Sequence, residues 1–200
     1  SDRAARQSAR LRLKAEGLEA SGVVARDTVL DLTASGFTAS DPMSAALEIR
    51  GDIRGIEAAG ASIDRFDVSA KGPLSALAVE VTGTGSAGEP FDIEMAALIG
   101  TVDGITGRVE RLAARFGAAT ASLDTPARFS LGPDGTTVAM PGLTVLGAAV
   151  AADLSLADTV DGRLSLSGLD LRRVTGFVPD APPLEGSISS TLTLSGAATD

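Results

Sequence analysis

The sequence lacks the side chains on which most enzyme active sites depend. It contains no His and no Cys, so Ser-His-Asp and Cys-His nucleophile arrangements and the usual zinc sites cannot be built from it. Composition alone still permits a carboxylate pair, but Glu80, Asp92 and Glu94 fall on the polar side of an alternating pattern, where solvation explains them. We therefore expect a protein that is not an enzyme and has no catalytic residue, metal or cofactor.

Aromatic residues and long apolar runs are also scarce. There are six Phe, no Tyr and no Trp, whereas closed cores and binding interfaces usually rely on aromatic anchors. No apolar run approaches the roughly 20 residues of a membrane-spanning helix, and no signal peptide opens the chain. The net charge is −9, and the excess of positive charge is confined to residues 1–26. An acidic body of this kind repels nucleic acid, so we expect no nucleic-acid partner.

Aliphatic residues that alternate with small or polar ones dominate the sequence. In the run Leu77–Val79–Val81, the intervening residues are Ala78 and Glu80. A period of two is typical of strands that have one apolar and one polar face. Turns rich in Gly, Pro and Asp separate these runs at intervals of about 10–15 residues, which suits antiparallel strands. The pattern predicts nine or more strands.

Helix is a minor component of this prediction. Residues 3–15 contain good helix formers, but a solvated linker fits them equally well. Residues 170–178, which Pro179 follows, predict a short helix.

Two parts of the chain are distinguished by charge and pattern. Residues 1–26 are interpreted as a basic linker or as the start of the segment. Residues 27–200 are expected to form an amphipathic sheet, either as one groove or as two troughs in series over 27–107 and 108–200.

The predicted fold class is all-β, an elongated and curved antiparallel sheet with an open groove and a hydrophobic concave interior. A sheet with one apolar face must shelter that face, and abundant Gly and Ala allow a sheet to curl. Burial of aliphatic surface away from water is favourable by about 25 cal/mol of free energy per Å². A groove of this kind favours acyl chains or a partner strand, and an ordinary sealed β-sandwich is the alternative.

The predicted groove lining consists of the apolar residues of the alternating runs. These are Leu47, Ile49, Phe66, Val68, Leu77, Val79, Val81, Phe91, Ile93, Met95, Phe129, Leu131, Leu154, Leu156, Leu164, Leu166, Leu192 and Leu194.

A G-x-G-x-x-G spacing at Gly83, Gly85 and Gly88 is interpreted as a turn. A dinucleotide site requires a helix N-terminus directly after such glycines. Here Glu89 and Pro90 follow, and then another alternating run. We therefore expect no dinucleotide cofactor.

Three segments, taken in order, resemble the TamB family, the inner-membrane subunit of the translocation and assembly module, which is related to the AsmA-like bridge proteins. Residues 63–95 (IDRFDVSAKGPLSALAVEVTGTGSAGEPFDIEM) and residues 109–138 (VERLAARFGAATASLDTPARFSLGPDGTTV) resemble its strands and small-residue turns. Residues 170–200 (DLRRVTGFVPDAPPLEGSISSTLTLSGAATD) resemble its short helix, Pro-rich loop and following strand. Each motif is low in complexity, and their order over most of residues 28–200 carries the resemblance.

The resemblance implies a middle segment of a periplasmic rod whose inner-membrane anchor lies outside this fragment. Members of the family form a curved β-taco with a hydrophobic groove. They are implicated in phospholipid transport from the inner to the outer membrane and in outer-membrane biogenesis with an Omp85-type outer-membrane barrel partner. By this resemblance the groove would shelter phospholipid acyl chains. The alternatives are a scaffold that assembles outer-membrane β-barrel proteins by strand augmentation and a structural β-repeat module of a secreted adhesin.

Overall fold

The chain divides into two compact units, Ser1–Val102 and Asp103–Asp200. The structure is a computed structural model. It describes residues 7–20, 23–38, 45–58, 61–101, 104–175 and 184–197. Almost all of the described residues are in strands.

Unit 1 is an antiparallel sheet in which each strand pairs with the next one along the chain. This order follows from the short connections, because antiparallel neighbours need only a tight turn between them. Its strands are β1 (Gln7–Ala20), β2 (Val23–Phe37), β3 (Ala46–Ala58), β4 (Ala61–Pro73), β5 (Leu77–Ala87) and β6 (Glu89–Gly100).

Unit 2 is also an antiparallel sheet, with one short helix before its last strand. Its elements are β7 (Ile105–Phe116), β8 (Ala119–Thr125), β9 (Ala127–Gly132), β10 (Gly135–Val145), β11 (Ala148–Leu156), β12 (Thr159–Asp170), α1 (Leu171–Thr175) and β13 (Ser187–Ala197).

Pro126 divides what would otherwise be one long strand into β8 and β9. Both strands pair with β7 on one side and with β10 on the other. Proline has no backbone N–H to donate to a ladder, so pairing stops at this residue. On β10 the register shifts between Met140 and Leu143, around Pro141.

The predicted all-β antiparallel fold with a short helix is confirmed. The helix occupies Leu171–Thr175, and residues 176–178 of the predicted helix lie outside the described residues. The helix considered for residues 3–15 is wrong over the described part, because Gln7–Ala20 form β1, and residues 3–6 lie outside that part. Pairing with β2 along the whole strand outweighs a helix propensity of a few tenths of a kcal/mol per residue.

A register shift in β4 keeps its apolar residues on one side of the sheet. Ile63 and Phe66 are three residues apart, so strict alternation would place them on opposite faces. Asp64 has no partner on β5, and Ile63 pairs with Gly85 whereas Phe66 pairs with Gly83. Since Gly83 and Gly85 share a face of β5, the extra residue returns Ile63 to the face of Phe66.

The same correction occurs in β3. Ile53 and Ile56 are three residues apart, yet they pair with Phe66 and Ile63 of β4. Gly55 lies between them with a φ of 62°, in the left-handed region that glycine enters without steric cost. The two strands therefore leave regular alternation at the same level of the sheet and remain in register.

Candidate functional site

The pairing of unit 1 places its apolar side chains in rows across one face. Residues directly opposite each other in an antiparallel ladder project to the same side, so a row can be followed from strand to strand. One row consists of Leu13, Leu30, Gly51, Val68, Val81 and Met95, and the next of Leu11, Leu32, Ile49, Ala70, Val79 and Ala97.

Unit 2 is organised in the same way. Gly107 pairs with Phe129, Phe129 with Val138, and Val138 with Leu154. Leu154 then pairs with Gly162 and Gly162 with Leu194, which completes a row from β7 to β13. A second row on this face contains Ala152, Leu164 and Leu192.

All the residues of the predicted groove lining lie on these two faces. Those from Leu47 to Met95 fall on the apolar face of unit 1, and those from Phe129 to Leu194 on the apolar face of unit 2. The register thus brings them together within each unit. The occupation of these faces by lipid stays a prediction.

Several residues of the same faces were not in the predicted lining. Leu11 and Leu13 were missed although alternation is visible in their sequence, and so were Leu30 and Leu32 in the next strand. Val138 of β10 was missed because the strand continues through Pro141, which reads as a strand breaker. Cross-strand pairing identifies all of these residues as members of the apolar faces, and this pairing is known only from the folded sheet.

The large apolar side chains of these faces remain in contact with solvent. Leu13, Leu164 and Leu192 are 52%, 45% and 53% exposed. Within the part of the chain that the structure describes, no large side chain is fully buried, and the buried apolar side chains belong to alanines. Each unit is a single-layered sheet whose apolar face keeps large side chains accessible to solvent. The buried alanines are Ala45, Ala70, Ala97 and Ala148.

Phenylalanine rings lie over glycines of neighbouring strands on the apolar faces. A Cβ placed on Gly107 would overlap the ring of Phe129, and one on Gly85 would lie 2.7 Å from Cζ of Phe91. The rings can lie this low only because the glycines have no side chain. The rings shield the glycine backbone from water, as aromatic neighbours of strand glycines do. Because they lie against the backbone, they project less from the apolar face than upright side chains would.

The opposite face of unit 1 carries paired charges. Asp52 and Asp67 are direct cross-strand partners, which is destabilising for like charges. Arg65 binds both, with Nη2 3.4 Å from Asp52 Oδ2 and 2.8 Å from Asp67 Oδ1. Arg54 Nε lies 2.9 Å from Asp52 Oδ1. The hydrogen bond from Arg65 lowers the pKa of Asp67, against a smaller opposing effect of desolvation.

The described residues contain neither a metal cluster nor a spanning helix. No group of three or more Asp, Glu, His or Cys side chains among them could hold a metal ion. None of the helices in these ranges is long and apolar enough to cross a membrane.

The glycine-rich motif is a turn only at Gly88, and its interpretation as a turn is wrong for Gly83 and Gly85. Gly83 and Gly85 lie within β5, and Gly88 forms the turn with a φ of 79°. Ala87 and Glu89 on either side of Gly88 are paired with each other. A strand, β6, follows the glycines in place of the helix that a dinucleotide site requires.

Comparison with known proteins does not assign the chain to a family. No protein-family model, curated protein or solved structure matches it. The geometry of the two faces is therefore the main structural evidence on function.

Replacing Gly107 by Ala should destabilise the protein by about 1–3 kcal/mol, because the new methyl group displaces the Phe129 ring. Gly196 is the matched control. It lies in β13 of the same unit, in ordinary extended backbone, and a Cβ there meets no atom within 4 Å. Gly196→Ala should be neutral or stabilise by up to about 1 kcal/mol. Urea unfolding measures both free energies, and equal effects of the two substitutions would contradict the ring placement.

The stabilisation from Asp67 should depend on pH in a defined direction. Its folded-state pKa is lowered, so its contribution is present above the unfolded value of about 3.9 and is lost as pH falls through the folded value. The difference in free energy of unfolding between wild type and Asp67→Asn should therefore be larger at pH 6 than at pH 3. Urea titrations at both pH values measure it. A difference that is the same at both would show that Arg65 does not hold this carboxylate in solution.

Proposed function

We propose that this chain is a segment of a periplasmic envelope protein that shelters phospholipid acyl chains on its apolar faces. The transport it serves runs from the inner to the outer membrane and supports outer-membrane biogenesis. The observation that carries the proposal is the row of half-buried and exposed aliphatic side chains across each sheet, which in unit 1 lies opposite a face of paired charges. The resemblance of the sequence to the TamB family supports the cellular setting.

The energetics favour an apolar occupant. Full burial of a Leu or Val side chain stabilises a protein by about 1.5–3 kcal/mol relative to exposure. Since Leu13, Leu164 and Leu192 are about half exposed, a large share of that free energy remains available when an acyl chain covers them. Many such residues lie side by side, so the gain accumulates along a chain of methylene groups.

The proposed mechanism is passive and uses no chemically reactive side chain. An acyl chain lies along a row, in which successive side chains are separated by the 4.7–4.9 Å between neighbouring strands. Contacts with Val79, Val81 or Leu164 are non-directional and individually weak, so the chain can shift along the rows without breaking a specific bond. The polar headgroup remains in water beyond the sheet.

A second candidate function is capture of an extended strand at the outer edge of β13. All residues of Ser187–Ala197 are exposed, and none of them is charged or is proline. Natural edge strands normally carry charges, prolines or bulges that prevent pairing. An unprotected edge can bind an added strand through its backbone, as a scaffold for outer-membrane β-barrel proteins would require.

A charge on the apolar face should abolish binding of an apolar probe. Val79 and Ala78 are adjacent in β5 and face opposite sides, with Val79 between Ala70 and Ala97 and Ala78 beside Lys71. N-phenyl-1-naphthylamine, an uncharged dye that fluoresces in apolar surroundings, is titrated into the purified chain. Val79→Asp should weaken its binding about 5- to 30-fold, from a loss of 1–2 kcal/mol, whereas Ala78→Asp should leave it within about twofold.

The pair Leu192 and Thr193 repeats the test in unit 2, where both side chains are exposed and contribute little to folding. Leu192→Asp should weaken binding and Thr193→Asp should not. Equal effects on both faces, or no dye binding by wild type, would contradict the proposal. Strand capture makes the reverse prediction: Thr193→Pro would abolish pairing of a β-strand peptide and leave dye binding unchanged.

A further inference from the structure

The outer strand of unit 1 carries apolar and cationic side chains on opposite sides of one edge. Among the described residues, β1 pairs only with β2. Leu11 and Leu13 belong to the apolar face and are 49% and 52% exposed. Arg10 and Arg12 alternate with them and therefore project from the polar face, with side chains 70% and 63% exposed.

These two arginines share a single carboxylate. Arg10 Nη2 lies 3.7 Å and Arg12 Nε 3.6 Å from the same Oδ1 atom of Asp31. Both distances are beyond hydrogen-bond range, and Asp31 Oδ1 has no hydrogen-bond partner. The pair therefore carries one net positive charge and retains N–H donors.

Three other cations on this face, Lys14, Arg50 and Arg54, are engaged more closely. Arg50 lies 2.6 Å from Glu48, and Arg54 lies 2.9 Å from Asp52. Lys14, the remaining cation of β1, lies 2.5 Å from Glu16. Each of these charges is matched by a hydrogen-bonded carboxylate on its own strand, which Arg10 and Arg12 lack.

We infer that the β1 edge is a headgroup site that gives the apolar face of unit 1 a preference for anionic phospholipid. This inference rests on the proposed function. An acyl chain on Leu11 and Leu13 leaves its headgroup at the rim of the sheet, within reach of long side chains that start from the next residues. Arginine recognises phosphate through its planar fork of N–H donors.

Charge complementarity selects this occupant. The chain as a whole has a net charge of −9, which repels anions from most of its surface. At the β1 edge, the positive charge of Arg10 and Arg12 can bind the headgroup of an anionic amphiphile while the exposed Leu11 and Leu13 contact its acyl chain. An uncharged amphiphile would use the leucines alone.

The test compares two single-chain lipids with the same 16-carbon acyl chain, lysophosphatidylglycerol and uncharged monoacylglycerol. Each is used below its critical micelle concentration to displace N-phenyl-1-naphthylamine from the purified chain at low ionic strength. Wild type should bind the anionic lipid about five- to tenfold more tightly. Arg10→Gln/Arg12→Gln should reduce that ratio to within about twofold and leave monoacylglycerol binding unchanged.

The matched control is Arg54→Gln/Arg65→Gln, which removes two cations from the same face at inner strands and should retain the preference. A ratio near one in wild type, or a preference that survives in the β1 variant or is lost equally in the control, would overturn the headgroup site while the proposed function stands. Displacement of the anionic lipid by glycerol 3-phosphate at equal concentration would show a free-phosphate site and overturn the lipid assignment. Failure of both lipids to bind would overturn the proposed function itself.

Discussion

Cross-strand register is the constraint on which the other features of both sheets depend. Because side chains alternate with a period of two, a slip of one residue would move every apolar side chain of a strand to the polar face. The one-residue turn at Gly88 fixes the register of β5 against β6, and the unpaired Asp64 and left-handed Gly55 restore it where the apolar spacing changes from two to three. Register thus converts a local pattern into rows that extend across whole sheets.

The two faces created by this register are stabilised differently. On the polar face of unit 1, Arg65 joins two carboxylates that would otherwise repel, and such pairs contribute little each but keep the face compatible with water. On the apolar faces, glycines beneath Phe91 and Phe129 allow rings to lie against the backbone. Neither arrangement covers the leucines, so the sheets retain surface that an apolar ligand could occupy.

Much of the fold followed from the sequence, because alternation acts locally. The strands around Val79, Ile93 and Leu164 and the short helix after Asp170 were all predictable from period and turn residues. β1 was misread because its helix formers compete with its alternation, and only pairing with β2 decides between them. Val138 was missed because Pro141, which follows three residues later, suggested that no strand continues there. The sequence was enough to infer that the predicted lining residues share one face of each sheet. It was not enough to infer how exposed these side chains are, because their exposure depends on whether a second layer packs over the sheet.

Site-specific photo-crosslinking in the cells that make the protein would test most directly whether the apolar face holds acyl chains. A photoreactive phenylalanine analogue would be placed at Val79 or Ile93 on the apolar face of unit 1 and at Glu80 or Asp92 on its polar face, and captured phospholipid would be identified by mass spectrometry. The account predicts phospholipid at the apolar positions and none at the polar ones. Equal capture at both faces, or capture at neither, would contradict it.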